Sequence, residues 1–419
     1  MSTQQSNPFA EGTLLDRSDV RVQHAQGLRE NLLTIVARIR AGDLGALPVI
    51  VGLLIIWTVF TCLNPIFLSP DNLVNLLFDC STTGVIALGI VCVLMVGQID
   101  LSVGSISGFA SALVGLLWVN QDWPLPLAIA AALVVGGLIG ALYALLLNRL
   151  GMPSFVATLA GLLAILGLQL YVLGNSGSIN LPYGSKMVDF GQLMVMPSAI
   201  SYLLALLPGS IILAAGLRTR ARREALRLSA PSKTNLALRA LACTVLLVVV
   251  VAYLNHGRGV PLMFGLFVAL AVAMDYAFKR TRWGRSMHAV GGNREAARRA
   301  GINVHMIFTS AFVLCASLAA LGGVLSAARL AAASQQAGTG DVNLNAIAAA
   351  VIGGTSLFGG RGSAYSAVLG IIVIQSIASG LTLLNLSSSL RFMITGAVLA
   401  IAVIVDSLAR QSRMSHGRS

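Results

Sequence analysis

The sequence contains few charged residues and few aromatic residues. Of its 419 residues, 10% are charged and 6% are aromatic, whereas a soluble domain carries about 25% charged residues. Hydrophobic residues make up 56%, and the mean hydropathy is +0.84. This composition excludes a soluble globular enzyme, a disordered chain and a coiled coil. It predicts an all-α fold, that of a polytopic helical membrane protein in a lipid bilayer.

The sequence also lacks the motifs of nucleotide hydrolysis and of metal binding. None of the three lysines follows a glycine, which excludes the Gly-Lys-Ser/Thr of a phosphate-binding loop. The five histidines form no His-x-x-x-His pair, and the five cysteines lie in or beside apolar runs without Cys-x-x-Cys spacing. We therefore expect no catalytic site, no metal and no cofactor.

The net charge is +13, and almost all of the basic residues are arginines. Basic proteins that bind nucleic acid carry a basic stripe with interleaved aromatic residues. Here the arginines fall between apolar runs, as determinants of membrane topology do. We therefore expect no nucleic acid partner.

Twelve apolar runs have the composition of membrane segments. They cover residues 47–63, 77–97, 101–119, 125–147, 155–173, 200–217, 240–254, 261–277, 306–330, 346–357, 364–384 and 392–404. The third run is rich in Gly and Ser, and the tenth is too short to cross about 30 Å as a helix, so both are candidates for broken or re-entrant helices. We expect about 10 to 12 membrane segments.

Four clusters of basic residues set the expected orientation. They lie before the first run, in residues 218–239, in residues 279–305 and after the last run. Basic residues accumulate on the cytoplasmic side, and an even number of crossings places all four clusters there when both termini are cytoplasmic. We predict a cytoplasmic N-terminal segment over residues 1–45, a transmembrane domain over 46–408 and a cytoplasmic tail over 409–419.

Four acidic residues lie in or beside apolar runs, where a carboxylate is costly and is by default a functional hypothesis. Asp275 and Asp406 each precede a basic residue by four positions, which favours solvated pairs at the cytoplasmic ends of their runs. Asp79 could lie in the membrane interior or at the outer interface. Asp100 lies among small residues, where it could cap a helix or line a polar path.

Two Gly- and Ser-rich stretches, 97–108 and 353–363, interrupt corresponding halves of the chain. Such interruptions suggest an internal duplication, and broken helices of this kind line the path in transporters. The residues predicted to line a translocation path are Asp100, Ser102, Gly104, Ser105, Gly354, Thr355 and Ser356.

The link between the eighth and ninth runs predicts a short capped helix. Asn293 can cap its start, Glu295 favours its first turn, and Gly301 can end it. Such a helix could merely connect two membrane segments. Its well-marked start and stop are also what a docking element for a cytosolic partner requires.

Four stretches spread from the second run to the tenth carry a further pattern. They are Gly-x-x-Asp-Leu-Ser-Val-Gly-Ser at 97–105, Met-Pro-Ser-Phe-Val-Ala-Thr-Leu-Ala-Gly at 152–161, Gly-Gly-Asn-x-Glu-Ala-Ala at 291–297 and Val-Ile-Gly-Gly-Thr-Ser-Leu at 351–357. Jointly they resemble the permease subunits of bacterial ATP-binding-cassette (ABC) importers for monosaccharides, the ribose, xylose and galactose group. Within that group, the basic insertion 218–239 and Arg-Gly-Val-Pro at 258–261 are most similar to the D-xylose permease subunits. Gln98 and Ala300 depart from the pattern.

The resemblance implies the ABC importer permease fold and a location in the bacterial inner membrane. The importer would contain two permease subunits, expected to be a homodimer, with cytosolic ATPase subunits and a periplasmic sugar-binding protein. This chain would provide the path for a monosaccharide, D-xylose, and ATP hydrolysis would occur in the separate ATPase. The residues that would couple to the ATPase are Gly292, Asn293, Glu295, Ala296, Ala297, Gly301 and Ile302.

Two other functions remain open from the residues. An ion-coupled secondary sugar transporter would need carboxylates at the membrane midplane, whereas most acidic residues here favour cytoplasmic ends. A membrane-embedded enzyme would need a convergent set of His, Asp or Cys residues, which the sequence does not suggest.

Overall fold

The computed structural model describes residues 47–226, 228, 230, 232–387, 389–390, 393–394, 396–397, 400 and 404. Fourteen α-helices and two short strands lie in this part of the chain. The residues form two compact units, one of residues 196–259 and the other of the remaining described residues.

The larger unit begins with six helices and a strand. They are α1 (Leu47–Leu63), α2 (Pro70–Met95), α3 (Val103–Gly115), α4 (Leu125–Leu150), α5 (Ser154–Leu173), β1 (Ser178–Asn180) and a short α6 (Lys186–Gln192). A π-helical turn, Leu116–Asn120, continues α3. The starts of α4 and α5 follow prolines, Pro124 and Pro153, whose fixed φ suits the residue before a helix.

The smaller unit is a hairpin of α7 (Ser198–Ala225) and α8 (Lys233–His256). The two helices approach closely where Gly209 faces Thr244, and Asn255 Nδ2 donates to Ser201 Oγ at 3.2 Å. With 28 residues, α7 is about 42 Å long. It therefore extends past the predicted apolar run and carries its arginines on the last turns.

The larger unit continues after the hairpin. Its remaining elements are α9 (Leu262–Arg280), α10 (Arg282–Gly292), α11 (Arg294–Arg299), α12 (Val304–Leu330), β2 (Ala332–Ser334), α13 (Val342–Ile352) and α14 (Ala364–Leu383). The strands β1 and β2 form an antiparallel ribbon in which Ile179 is opposite Ala333.

Nine helices of the described residues are long and apolar enough to cross a membrane, and α1 and α13 are shorter apolar helices. The chain is therefore a polytopic helical membrane protein, as its composition predicted. The tenth predicted run is a short helix, and it ends at Ile352 rather than 357 because Gly354, with φ +103°, leaves the helical conformation. The run 392–404 lies largely outside the described residues, and the segments 1–45 and 409–419 lie entirely outside them.

The centre of the larger unit is formed by α2 and α12, whose side chains are mostly buried. Small residues let the neighbouring helices approach: a Cβ on Gly140 of α4 would be 2.7 Å from the carbonyl carbon of Phe312 in α12. By contrast, Leu138 and Leu142 of α4 are more than half exposed. This pattern is that of a helix with one face against protein and the other available to lipid.

Candidate functional site

The helix α11 is capped at both ends as the sequence predicted. Asn293 Oδ1 accepts the backbone N–H of Ala296 at 2.9 Å. At the other end Gly301 has φ +82°, and the N–H groups of Gly301 and Ile302 donate to carbonyl oxygens of the last turn at 3.0 and 3.1 Å. These two bonds form a Schellman motif, which requires the left-handed conformation that glycine adopts without strain.

The surface of α11 is charged and exposed. Glu295 Oε1 lies 2.9 Å from Arg298 Nη2 and 3.2 Å from Arg299 Nε. These hydrogen bonds hold the pKa of Glu295 below its ordinary value. Only Ala297 of this helix is buried. A six-residue helix so exposed is kept in place by its caps and by its neighbours rather than by a core of its own.

The neighbouring helices hold the base of α11. Trp283 of α10 stacks on Phe278 of α9 with ring centroids 5.7 Å apart, and its Nε1 donates to Ser310 Oγ of α12 at 2.8 Å. The guanidinium of Arg294 lies 4.9 Å from the ring centre of Phe308. These contacts join α10 to α9 and α12, and the start of α11 to α12.

The structure brings the seven predicted coupling residues together around α11. Five of them are exposed: Gly292, Asn293, Glu295, Ala296 and Gly301. Ile302 is partly buried and Ala297 is buried, so these two face the base of the helix rather than the surface that a partner could reach.

The start of α3 lies in the interior of the larger unit. Asp100 is fully buried, and its Oδ1 accepts from both the N–H and the Oγ of Ser102, at 2.8 and 2.7 Å. Nearby, the N–H of Leu101 donates to Thr158 Oγ1 at 3.1 Å. Asp100 therefore satisfies the backbone and hydroxyl donors of Ser102, the residue before α3, in a local turn. It does not cap the helix, because Ser102 is the N-cap residue, and the Ser102 side chain makes no capping hydrogen bond to the first turn of α3.

The turns before α13 and the first turn of α13 meet α3 in the interior. The N–H of Gly104 donates to Asn343 Oδ1, and the backbone of Gly338 packs against that of Gly104 without side chains between them. From α5, Gln169 Nε2 donates to the carbonyl oxygens of Ser334 and Ala337 at 3.0 and 2.9 Å.

We call this group, Gly104, Gly108, Gln169, Gly338 and Asn343, the interior seam. Gln169 is fully buried, yet its Oε1 has no hydrogen-bond partner among the described residues. A buried acceptor without a partner is costly in apolar surroundings. The seam therefore contains a free polar atom that an incoming hydroxyl could satisfy.

The predicted path residues lie in two segments of the chain. Asp100, Ser102, Gly104 and Ser105 are buried at the start of α3. Gly354, Thr355 and Ser356 instead follow the end of α13, a helix of 11 residues whose start carries Asn343. Within the second group Gly354 is exposed and Thr355 is buried.

Comparisons with known proteins identify the family. Residues 72–403 match the family described as "Branched-chain amino acid transport system / permease component". The chain belongs to this permease family. The matched residues run from the first turn of α2 through the last described helix and include α11 and the interior seam.

Individual relatives of the permease carry more specific names. The xylose transport system permease protein XylH of Escherichia coli (strain K12) is 35% identical over 345 residues, 82% of this chain and 87% of the relative. The protein of the same name from Haemophilus influenzae is 34% identical over 343 residues, 81% of this chain and 90% of the relative. The ribose import permease protein RbsC of Escherichia coli (strain K12) is 29% identical over 359 residues, 85% of this chain and 92% of the relative. No solved structure matches the chain.

Two of the acidic residues that the sequence singled out, Asp275 and Asp79, form ion pairs in the described part of the permease. The predicted pairing is confirmed: Lys279 Nζ lies 2.8 Å from Asp275 Oδ1, which also accepts from Ser363 Oγ at 3.0 Å. The expectation that the pair is solvated is wrong for Asp275, which is buried. The second pair joins Arg329 Nε of α12 to Asp79 Oδ1 of α2 at 2.9 Å. The position of Asp79 was open from the sequence, and Arg329 was missed. The only sequence signal for Arg329 was its position as a single arginine at the end of a long apolar run. Asp406 lies outside the described residues.

Proposed function

We propose that this chain is the permease subunit of an ATP-driven importer of a pentose, D-xylose. The observation that carries the proposal is the exposed α11, capped at both ends and mounted on a rigid base, at the position where the family resemblance expects a coupling helix. Two relatives named for xylose and one named for ribose support the substrate class. Because the family description names branched-chain amino acids, the family by itself does not decide the substrate.

We place the exposed residues of α11 in a cleft of a cytosolic ATPase subunit. In this proposal the importer contains two copies of this chain, two ATPase subunits or domains, and a periplasmic sugar-binding protein. Both termini are cytoplasmic, with residues 1–45 and 409–419 on either side of the membrane domain 46–408. A reporter fused after Gly292 is then cytoplasmic, and a periplasmic reporter there would refute the orientation.

We place the sugar path along the interior seam and the start of α3. The groups there are hydroxyls, amides and backbone atoms, which suit a neutral polyol, since hydroxyls can both donate and accept. The interior carboxylate, Asp100, already accepts two hydrogen bonds from Ser102. This arrangement favours a structural role over the ion binding that a secondary transporter requires.

Uptake of radiolabelled D-xylose and D-ribose by cells lacking and regaining this gene tests the proposal. We expect restored cells to regain D-xylose uptake, to lose it when ATP is depleted, and to keep it when a protonophore is added while ATP is maintained. D-ribose should compete weakly. Uptake that continues after ATP depletion with the ion gradient intact would establish the secondary transporter instead, and stronger competition by D-ribose would reassign the sugar.

Bulky substitutions test the path separately from the coupling. Ser102→Trp places a large side chain in the buried start of α3, and Gly354→Trp places one at the end of α13. We expect both to block D-xylose uptake while the ATPase still co-purifies with the permease. As a control, Gly167→Trp lies on α5 where a Cβ meets no atom within 4 Å. Normal uptake in both path variants would remove the assignment.

A further inference from the structure

Three backbone turns of the larger unit meet through glycines beside α11. The N–H of Gly360, in the turn after α13, donates to the carbonyl oxygen of Met95 at the end of α2 at 2.9 Å. A Cβ on Gly359 would lie 2.8 Å from the carbonyl oxygen of Gly291 in α10 and 2.9 Å from the backbone nitrogen of Gly97. We call Gly97, Gly291, Gly359 and Gly360 the glycine junction.

The junction is made of backbone rather than side chains. A Cβ on Gly291 would lie 2.5 Å from the backbone nitrogen of Gly360 and closer still to the carbonyl oxygen of Met95. Neither atom belongs to a side chain that could turn away. Gly97 and Gly359 have φ +70° and +86°, values that other residues adopt only with strain. The contact distance between the three turns is therefore set by the absence of side chains at these four positions.

The three turns lead to the three elements on which the proposed function depends. Gly291 lies three residues before α11. Gly97 begins the non-helical segment that leads to Asp100 and α3, while Gly359 and Gly360 lie in the turn that follows α13. A displacement of α11 thus acts on a backbone contact that also includes the segment before α3 and the turn after α13. Close-packed contacts of this kind transmit displacement because they have no room to absorb it.

We propose that the glycine junction transmits the movement of α11 to α3 and α13, so that both interrupted helices change position together when the ATPase binds ATP. The proposal rests on the docking of α11 to the ATPase proposed above. It makes Gly291 and Gly359 positioning residues, which act through the backbones of the turns they contact. They touch neither the sugar nor the ATPase.

A matched pair of glycines tests the junction. A Cβ on Gly167 of α5 meets no atom within 4 Å, whereas a Cβ on Gly291 meets backbone on two sides. We expect Gly291→Ala to keep the ATPase bound and to retain basal ATP hydrolysis, but to lose at least tenfold in sugar-stimulated hydrolysis and in D-xylose uptake. Gly167→Ala should stay within twofold of the wild type. Stimulation within twofold in Gly291→Ala would overturn the proposal.

A second measurement does not depend on how Gly291→Ala folds. Spin labels are attached to cysteines at Gly292 and Phe358, and in a second protein at Phe358 and Leu150, after the accessible Cys62 and Cys243 are replaced by serine. Phe358 is 65% exposed and Leu150, at the end of α4, is 70% exposed. We expect the 292–358 distance to stay unchanged on ATP binding while the 358–150 distance changes. A change in the first distance, or none in the second, would refute the proposal.

The outcomes separate this proposal from the one on which it rests. If no ATPase co-purifies with the wild-type permease, or exposed substitutions on α11 leave ATPase binding intact, the docking of α11 is wrong. If docking holds but Gly291→Ala retains full stimulation, only the role of the junction is wrong.

Discussion

Removing the two caps of α11 should uncouple the permease without unfolding it. Asn293→Ala deletes the side-chain acceptor for the N–H of Ala296, which costs about 1 kcal/mol for a helix of this kind. Gly301→Ala forces a residue with a Cβ into φ +82°, which costs about 1–2 kcal/mol. Together the two changes destabilise α11 by at least about 2 kcal/mol, a factor of about 30 in its local unfolding equilibrium.

Hydrogen exchange measures this local change directly. The N–H of Ala297 donates to the carbonyl of Asn293 at 2.9 Å, and that of Ala300 to the carbonyl of Ala296 at 3.0 Å. We expect both amide protons to exchange about 30 times faster in the double variant, since local opening controls their exchange. The amides of α12 should be unaffected, because the membrane helices do not depend on the caps of α11. Sugar-stimulated ATP hydrolysis and D-xylose uptake should then fall, with normal insertion and expression.

Two results would refute this reasoning, each at a different step. Unchanged exchange at Ala297 and Ala300 would show that the caps do not hold the helix. Faster exchange together with normal stimulation and uptake would show that a formed α11 is not needed for coupling. Ser286→Ala serves as the control. The Ser286 hydroxyl donates to the carbonyl of Arg282 within its own helix α10, at 2.9 Å, so its removal leaves the caps of α11 intact. It should change neither quantity.

Three further predictions concern single contacts. Hydrogen bonds from Arg298 and Arg299 lower the pKa of Glu295. The stabilisation that they give α11 is therefore present above about pH 4.5 and is lost as the pH falls through the lowered pKa. Amide protection in α11 should drop in that pH range, and Glu295→Gln should remove the pH dependence. Gly140→Ala should destabilise the permease by about 1–3 kcal/mol through overpacking, which a lower melting temperature would show. Gly167→Ala, in open space on α5, should be neutral or slightly stabilising. Equal melting temperatures for the two variants would contradict the packing of α4 on α12. A double-mutant cycle with Asp79→Asn and Arg329→Gln should give a coupling energy of about 0.5–1 kcal/mol, because the Asp79 side chain is 47% exposed; a value of zero would contradict the pair.

Local chemistry explains why α11 was predictable. Its start, charge distribution and end depend on residues within four positions of one another. Asn293 accepts the N–H of Ala296, Glu295 accepts from Arg298, and Gly301 closes the last turn. The same holds for the Asp275–Lys279 pair, which lies on one helix face at i and i+4. Interactions of this range can be predicted without knowing how the helices pack.

The contacts that the sequence did not reveal join distant parts of the chain. Asp79 and Arg329 are 250 residues apart, and nothing local indicates that α2 and α12 lie side by side. The interior seam likewise depends on Gly104 meeting Asn343, 239 positions later. The two Gly-rich stretches suggested a polar path, but the contact between them, Gly97 against Gly359, follows only from packing.

By itself, then, the sequence determined the membrane class, most of the long helices, the capped α11 and the permease resemblance, because hydrophobic runs, caps and i,i+4 pairs act over a few residues. Only the tertiary structure decided that Asp100 is buried in the interior beside Ser102, that Gln169 leaves an acceptor free in the seam, and that Gly97, Gly291 and Gly359 bring three turns together beside α11. The physical reason is that close packing chooses which backbone meets which. A glycine in a sequence shows where the chain can be approached, and the fold determines what approaches it.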